Sequence, residues 1–327
     1  MKGEKTVGQA KRSDSGIKSV RLKETGVFIF LLVLLIGNSL FTRNFFDTRT
    51  MWLLIMQSFP IIVVALGMTL VIASGGIDIS VGATMAFGGT ILAYLMIHKS
   101  MPLFICIVIA LIASAAIGLF NGAVIAWFKV QPIVITLIMM LIGRGLAQVV
   151  TTGRPVPFSY MLINDIANFR FWKYGMPIQF VLALILILIF SFVVNKTVFG
   201  KNVQAMGDNS VAARLAGIDV AFQTIAVFTI SALMAGIATV IEVGRESQAE
   251  PARMGVYMEL NAIAAVAVGG TPLTGGKARI WGTVAGALIM QLVGMTVNMN
   301  GILSSWGMVA KAVIMIMAIY FQSEKQR

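Results

Sequence analysis

The chain has 327 residues, of which 58% are apolar and 12% charged, about half the charged share usual for a soluble domain. A soluble fold cannot hide that much apolar surface, so composition excludes an ordinary soluble enzyme, a disordered chain and a nucleic-acid-binding domain; the natural solvent is a bilayer. The net charge of +12 would suit an acidic partner, but its placement has another cause, given below. The single cysteine, Cys106, and single histidine, His98, form neither an intrachain disulfide nor a Zn or Fe–S centre.

Residues 1–25 are a polar tail carrying Lys2, Lys5, Lys11, Arg12, Lys18, Arg21 and Lys23. The apolar run Gly26–Leu40 follows and is read as a retained span, because Leu40-Phe41-Thr42-Arg43 has no small-x-small cleavage site. Further apolar runs cover 51–73, 80–97, 102–128, 131–150, 176–194, 221–243, 258–270, 280–298 and 303–321. At ~20 residues per span, these predict an all-α integral membrane protein with about ten transmembrane helices and short loops. The run 258–270 is short and is expected to begin or end in irregular backbone. One transmembrane domain then fills 26–321, with its longest internal cytoplasmic loop at 195–220 and a short tail at 322–327. With the N-terminus inside, the cytoplasmic segments hold nearly twice as many Lys and Arg as the outer loops. The positive-inside rule therefore places both termini in the cytoplasm and makes the net charge an insertion signal.

A possible parallel internal repeat matches the glycines of Gly75–Gly82 and Gly88 to those of Gly269–Gly276 and Gly282. Both segments join an outward-to-inward span to the next one, and parallel repeats are one way of building transporters.

No nucleophile elbow, paired histidine ligands or P-loop occurs, so any ATP used is bound by another polypeptide. Three segments stand out. In Ser74-Gly75-Gly76-Ile77-Asp78-Ile79-Ser80-Val81-Gly82, two adjacent glycines break the helix cheaply. Backbone freed at membrane depth must be buried in protein or line a wet cavity. Asp78 is read as the only carboxylate within apolar sequence, a functional candidate by default; equally, Asp78 or Ser80 could cap the following helix. In Gly207-Asp208-Asn209-Ser210-Val211-Ala212-Ala213-Arg214-Leu215-Ala216-Gly217-Ile218, Asn209 or Ser210 can cap a short helix and Gly217 can end it. Val211, Leu215 and Ile218 then share a face, suited to a docking partner or to the membrane surface. In Glu259–Gly270, small residues permit close helix contact, and Asn261 can bond a hydroxylated solute or a neighbouring helix.

Gln57, Asn121, Gln131, Thr136, Gln148, Gln291 and Asn298 add amide and hydroxyl groups within spans, an inventory that suits an uncharged hydroxylated solute. Arg144 and Lys311 need a partner, a headgroup or water. Trp52, Trp127, Trp172, Trp281 and Trp306 lie near span ends, as an aromatic belt requires.

These segments resemble the permease subunits of ABC importers for ribose, xylose, galactose and related simple sugars, a group related to branched-chain amino-acid permeases. Gly75-Gly76-Ile77-Asp78-Ile79-Ser80-Val81-Gly82 is very close to that family's Gly-Gly-Ile-Asp-Leu-Ser-Val-Gly. Gly207–Gly217 is similar to its Gly-Gly-Asn-x-x-Ala-Ala-x-Leu-x-Gly, with Asp208 for the second glycine. Glu259–Gly276 is similar to its third motif, with Asn261 where Asp is usual. The resemblance covers about residues 26–321. It implies a homo- or heterodimer of permeases in a bacterial or archaeal cytoplasmic (inner) membrane, a separate ABC ATPase on the inside that binds the ATP, and an extracytoplasmic sugar-binding protein. It implies no cofactor on this chain, no enzymatic activity and no nucleic-acid partner. Gly75, Gly76, Asp78, Ser80, Gly82, Asn121 and Asn261 become candidates for the solute path or gate. Gly207, Asp208, Asn209, Ala212, Ala213, Arg214, Leu215 and Gly217 become candidates for ATPase coupling within 195–220. An ion-coupled secondary transporter using Asp78, a passive channel, or an importer of a nucleoside or branched-chain amino acid are the competing readings.

Overall fold

The computed structural model describes residues 26–158, 161–171 and 175–323. The basic tail 1–25, Trp172, Lys173 and residues 324–327 lie outside the described residues. The helices are α1 (Gly26–Phe41), α2 (Thr48–Ala73), α3 (Val81–His98), α4 (Leu103–Phe128), α5 (Pro132–Thr151), α6 (Met161–Asn168), α7 (Ile178–Lys196), α8 (Val198–Asp208), α9 (Ser210–Leu215), α10 (Val220–Glu246), α11 (Met258–Val268), α12 (Ile280–Met299) and α13 (Ser304–Ser323). Two short strands, β1 (Val156–Pro157) and β2 (Gln248–Ala249), pair antiparallel and tie the end of α10 to the segment after α5.

The apolar runs become helices because backbone groups in hydrocarbon must be satisfied within the segment. Polar side chains start several of them: Asp47 accepts from Arg49 N at α2, and Asp219 from Phe222 N at α10. Left-handed residues stop others, Lys129 after α4, Thr152 after α5 and Ser247 after α10. Seven helices are long and apolar enough to cross a membrane, and three shorter apolar helices, Gly26–Phe41, Met258–Val268 and Ser304–Ala318, occupy the other three runs. The run 258–270, expected to be short and to begin or end in irregular backbone, is a half-length helix preceded by turns. At 11 residues, α11 extends ~16 Å against a hydrocarbon core of ~30 Å. Turns over 250–257 precede it.

Side-chain contacts fix the helix directions. Gly67 of α2 packs on Ser231 and Met234 of α10, and Gly76 beyond α2 on Phe228, so α10 runs antiparallel to α2. Gly118 and Gly122 of α4 meet Phe228 and Ile225, making α4 antiparallel to α10. Thr239 of α10 bonds Met85 O of α3, and Val243 meets Gly89, making those two parallel. Thr69 and Gln57 of α2 bond Thr283 and Gln291 of α12 in antiparallel order. Gly286 meets Ala265 and Gly269 meets Gly282, so α11 opposes α12. Val297 meets Gly307, and Gly294 meets Lys311, so α13 opposes α12 as well.

The result is an inverted duplication. Helices α2–α3–α4–α5 alternate in one sense and α10–α11–α12–α13 in the other, and the packing partners correspond: α4 on α10 as α12 on α2, α3 on α10 as α11 on α2, α3 on α5 as α11 on α13. Each half breaks after its first helix, at 74–80 and at 247–257. The glycine segments around Gly75 and Gly275 touch one another, but the repeat carried by the packing is this inverted one, not the parallel one suggested by their glycines.

The core is α2 and α10. From Phe59 to Ala73 every residue of α2 is buried, and small residues allow close backbone approach: a methyl on Gly118 would lie 2.3 Å from Phe228 O. Outward faces of α1, α4, α5, α7 and α13 expose large apolar side chains such as Phe104, Leu141, Leu188 and Ile316, the surface expected against lipid or a partner helix.

Candidate solute-path and coupling sites

The broken segment after α2 is built by its glycines. Gly75 turns the chain at φ +87°, and Gly76 fits beneath the Phe228 ring, which a methyl would approach to 3.2 Å. The chain then rises to α3 through Asp78, which is fully buried. Asp78 Oδ1 accepts from Ser80 N (2.9 Å) and Ser80 Oγ (2.6 Å), and Oδ2 accepts from Ser231 Oγ of α10 (3.1 Å). Asn121 Nδ2 of α4 donates to Ser80 Oγ at 3.0 Å, while Asn121 Oδ1 is buried without a partner. Thr136 of α5 donates to Ile77 O at 3.2 Å. Asp78, Ser80 and Asn121 are therefore one network linking the broken segment to α4 and α10. Ser80 stands at the N-cap position of α3, but its side chain makes no cap bond; Asp78 closes a turn over Ser80.

Gly82, in the first turn of α3, meets the second broken segment. A methyl there would lie 2.2 Å from Gly255 O and 2.5 Å from Glu259 Oε2. Arg144 of α5 donates to Met254 O (2.5 Å) and Pro251 O (3.2 Å), pinning this segment. Its guanidinium and the Glu259 carboxylate are near enough for each charge to act on the other. Asp78 is consequently not the sole carboxylate among the spans. Glu259, within the run 258–270, sits against α3, and Glu242 lies within α10. Asn261 is separate from the Asp78 network: its Oδ1 accepts from Lys311 Nζ of α13 at 3.1 Å. Amid apolar neighbours, Ser231 gave no sequence signal; Glu259 had one, its position directly before a small-residue run.

The second site is at the end where α2 finishes and α10 begins. Asn209 caps α9, its Oδ1 accepting from Val211 N (3.0 Å) and Ala212 N (2.9 Å). Gly217 at φ +84° ends it, with Ile218 N donating to Ala213 O. Ala213 is buried, whereas Ala212 and Arg214 are exposed, as are Val211 (68%) and Leu215 (86%). Gly207 joins this element to the membrane helices: a methyl on it would lie 1.8 Å from Ala73 O and 2.7 Å from Gly276 N. Gly276 N itself donates to Ala73 O at 3.0 Å, and Asp208 Oδ1 would be 2.9 Å from a methyl on Gly276. Among the described residues, no group of His, Cys, Asp and Glu could hold a metal ion.

Broken helices in an inverted repeat, with an exposed helical element packed on one break, define a multi-pass membrane transport component. Residues 50–319 match the family described as branched-chain amino acid transport system / permease component, and the chain belongs to that family. It is 36% identical over 310 residues to the ribose import permease protein of Escherichia coli (strain K12), covering 93% of this chain and 95% of that protein. It is 34% identical over 274 residues to the fructose import permease protein of Bifidobacterium longum, covering 83% of this chain and 77% of that one. It is 33% identical over 272 residues to the D-allose transport system permease protein of Escherichia coli (strain K12), covering 83% and 82%. No solved structure matches.

Proposed function

We propose that the chain is the membrane-spanning permease subunit of an ATP-driven importer for a simple sugar, a pentose or hexose, in a bacterial or archaeal inner membrane. The observation that carries this is similarity along almost the whole chain to import permeases whose named solutes are sugars: ribose, fructose and allose. Ion coupling through Asp78 gains no support, because its oxygens already accept three protein hydrogen bonds.

In this reading, the exposed Val211, Arg214 and Leu215 dock on a separate ABC ATPase that binds the ATP, and Asn209, Ala212, Ala213 and Gly217 give α9 its cap, packing and end. Gly207 and Asp208 carry the ATPase's movement to Ala73 and Gly276. Gly75, Gly76, Asp78, Ser80, Gly82 and Asn121 form the gate on that side, holding the break rather than contacting the solute. Asn261 steadies α13 through Lys311. Both termini and α8–α9 face the cytoplasm, a second permease subunit completes the path, and an extracytoplasmic sugar-binding protein delivers the solute. Each ligand shifts the membrane equilibrium only through unequal affinity for the two conformations.

The test is reconstitution in liposomes with the neighbouring ATPase and binding protein, following radiolabelled ribose, xylose and galactose with and without ATP. Uptake that needs all three components supports the reading. Uptake by this chain alone, driven by a proton or Na⁺ gradient, overturns it.

A further inference from the structure

The second broken segment, 250–257, places non-helical backbone and the charged Arg253 side chain at the surface of the chain. Glu259 lies ten residues before Gly269, and Gly269 packs on Gly282 at the base of α12. Ten helical residues rise ~15 Å, half of a ~30 Å hydrocarbon core. Residues 251–257, before α11, are turns in which Ala252, Arg253, Val256 and Tyr257 are exposed while Pro251, Met254 and Gly255 are buried. Val256 is 42% exposed, Tyr257 53% and, on the first turn of α11, Leu260 48%. Arg253, paired with Glu250, is exposed beside them. Irregular backbone at membrane depth persists only where it is enclosed by protein or faces water.

Tyr257 adds a second observation. It holds φ +62°, a conformation that a bulky residue rarely adopts. Such strain clusters at functional positions. It turns the tyrosine outward while Glu259, two residues on, turns toward Gly82 and Arg144. The exposed Tyr257 ring and the half-buried Glu259 carboxylate, two residues apart, thus flank the start of α11, a wall at half depth.

We propose that this wall, centred on Tyr257 and Glu259, lines the aqueous solute path. A sugar's hydroxyls donate to the Glu259 carboxylate, and its apolar ring face stacks on the Tyr257 ring. The sugar contact rests on the function proposed above; the aqueous path does not.

The experiment places a thiol on the wall. Tyr257→Cys and, separately, Leu260→Cys are made in a Cys106→Ser background; Cys106 is fully buried in the parent chain, which serves as the control. Each variant is reconstituted with the ATPase and binding protein and treated with a charged, membrane-impermeant thiosulfonate. The expected result is modification at either position at least tenfold faster than in the parent, slowed severalfold when ribose, or the sugar the wild type imports, is being carried. Glu259→Gln is expected to lower uptake at least tenfold while the protein stays monodisperse and still binds the ATPase. Thiols that react only with a lipid-soluble maleimide face hydrocarbon and overturn the proposal. So do thiols protected in every state and cross-linked to a second copy. If wild type imports sugar but both thiols resist the charged reagent, the wall is refuted and the importer reading stands. If they are modified but no sugar is imported, the path survives and the sugar reading fails.

Discussion

Replacing Asp78 separates a structural network from a working charge. In Asp78→Ala, Ser231 can turn its hydroxyl to the carbonyl one helical turn back, and Ser80 Oγ keeps the Asn121 amide. Ser80 N keeps nothing, since its acceptor is Asp78 Oδ1. An orphaned buried N–H together with the space left by the carboxyl costs about 2–4 kcal/mol. Because these bonds hold 74–80 against α10, a loss of that size in one gate conformation moves the equilibrium between conformations by about 30- to 1,000-fold. Asp78→Asn differs: its Oδ1 can accept both Ser80 bonds, and its amide can donate to Ser231 Oγ. The expected outcome is that Asp78→Ala inserts, melts lower and loses uptake, while Asp78→Asn stays close to wild type in both. Thermal unfolding in detergent and ATP-driven uptake in liposomes report the two effects. An Asp78→Asn protein that melts normally yet transports no better than Asp78→Ala would refute the reasoning and make the negative charge itself essential.

Gly82→Ala drives a methyl to 2.2 Å from Gly255 O, an overpacking of about 1–3 kcal/mol; a lower melting temperature and lost uptake are expected, and wild-type behaviour would mean the broken segments do not cross so closely. Gly207→Ala meets backbone on both sides, Ala73 O and Gly276 N, and is expected to leave ATPase bound but uptake uncoupled. Gly217→Ala meets open space and carries only the left-handed backbone cost of about 1–2 kcal/mol, so its uptake should survive; equal effects from the two glycines would sink the transmission role of Gly207. Arg214→Glu or Leu215→Glu, on the exposed face of α9, should leave melting unchanged while abolishing ATPase capture and uptake, and normal uptake at normal expression would exclude docking there.

Helix positions were legible because hydrocarbon length sets them: the runs at 51–73 and 280–298 fall within residues of α2 and α12. The glycines at 75–76 announced a break, and the order Asn209 to Gly217 announced a capped short helix, both local chemistry. What sequence did not carry was long-range pairing. Ser231 is an ordinary helix serine until Asp78 lies opposite it, 3.1 Å away. The break at 250–257 has no paired-glycine signal, so nothing local in the sequence places Glu259 against Gly82. The inverted repeat was hidden because bilayer-facing and core positions accept any apolar residue of suitable volume, leaving the duplication in the packing.

That duplication bears on how ATP hydrolysis elsewhere could act on both gates. Gly82 and Glu259 are each the second residue of a half's broken helix, α3 and α11, and they touch each other, so the pseudo-two-fold relation passes near their contact. The halves then differ in how the break is held. The break at 74–80 is tied to α10 by side chains, Asp78 to Ser231. The break at 250–257 is tied to α5 by Arg144 reaching carbonyl oxygens. Gly207 packs on Ala73, directly before the first break, and on Gly276, so under the proposed function force applied through α8 would reach the first break directly. The two breaks share the contact at Gly82, Gly255 and Glu259 as well as α10, so under the proposed function part of the coupling between them would run beside Glu259, a residue proposed to meet the sugar. A solute held there is thus positioned to bias which break is closed, the unequal affinity that ligand-driven alternation requires.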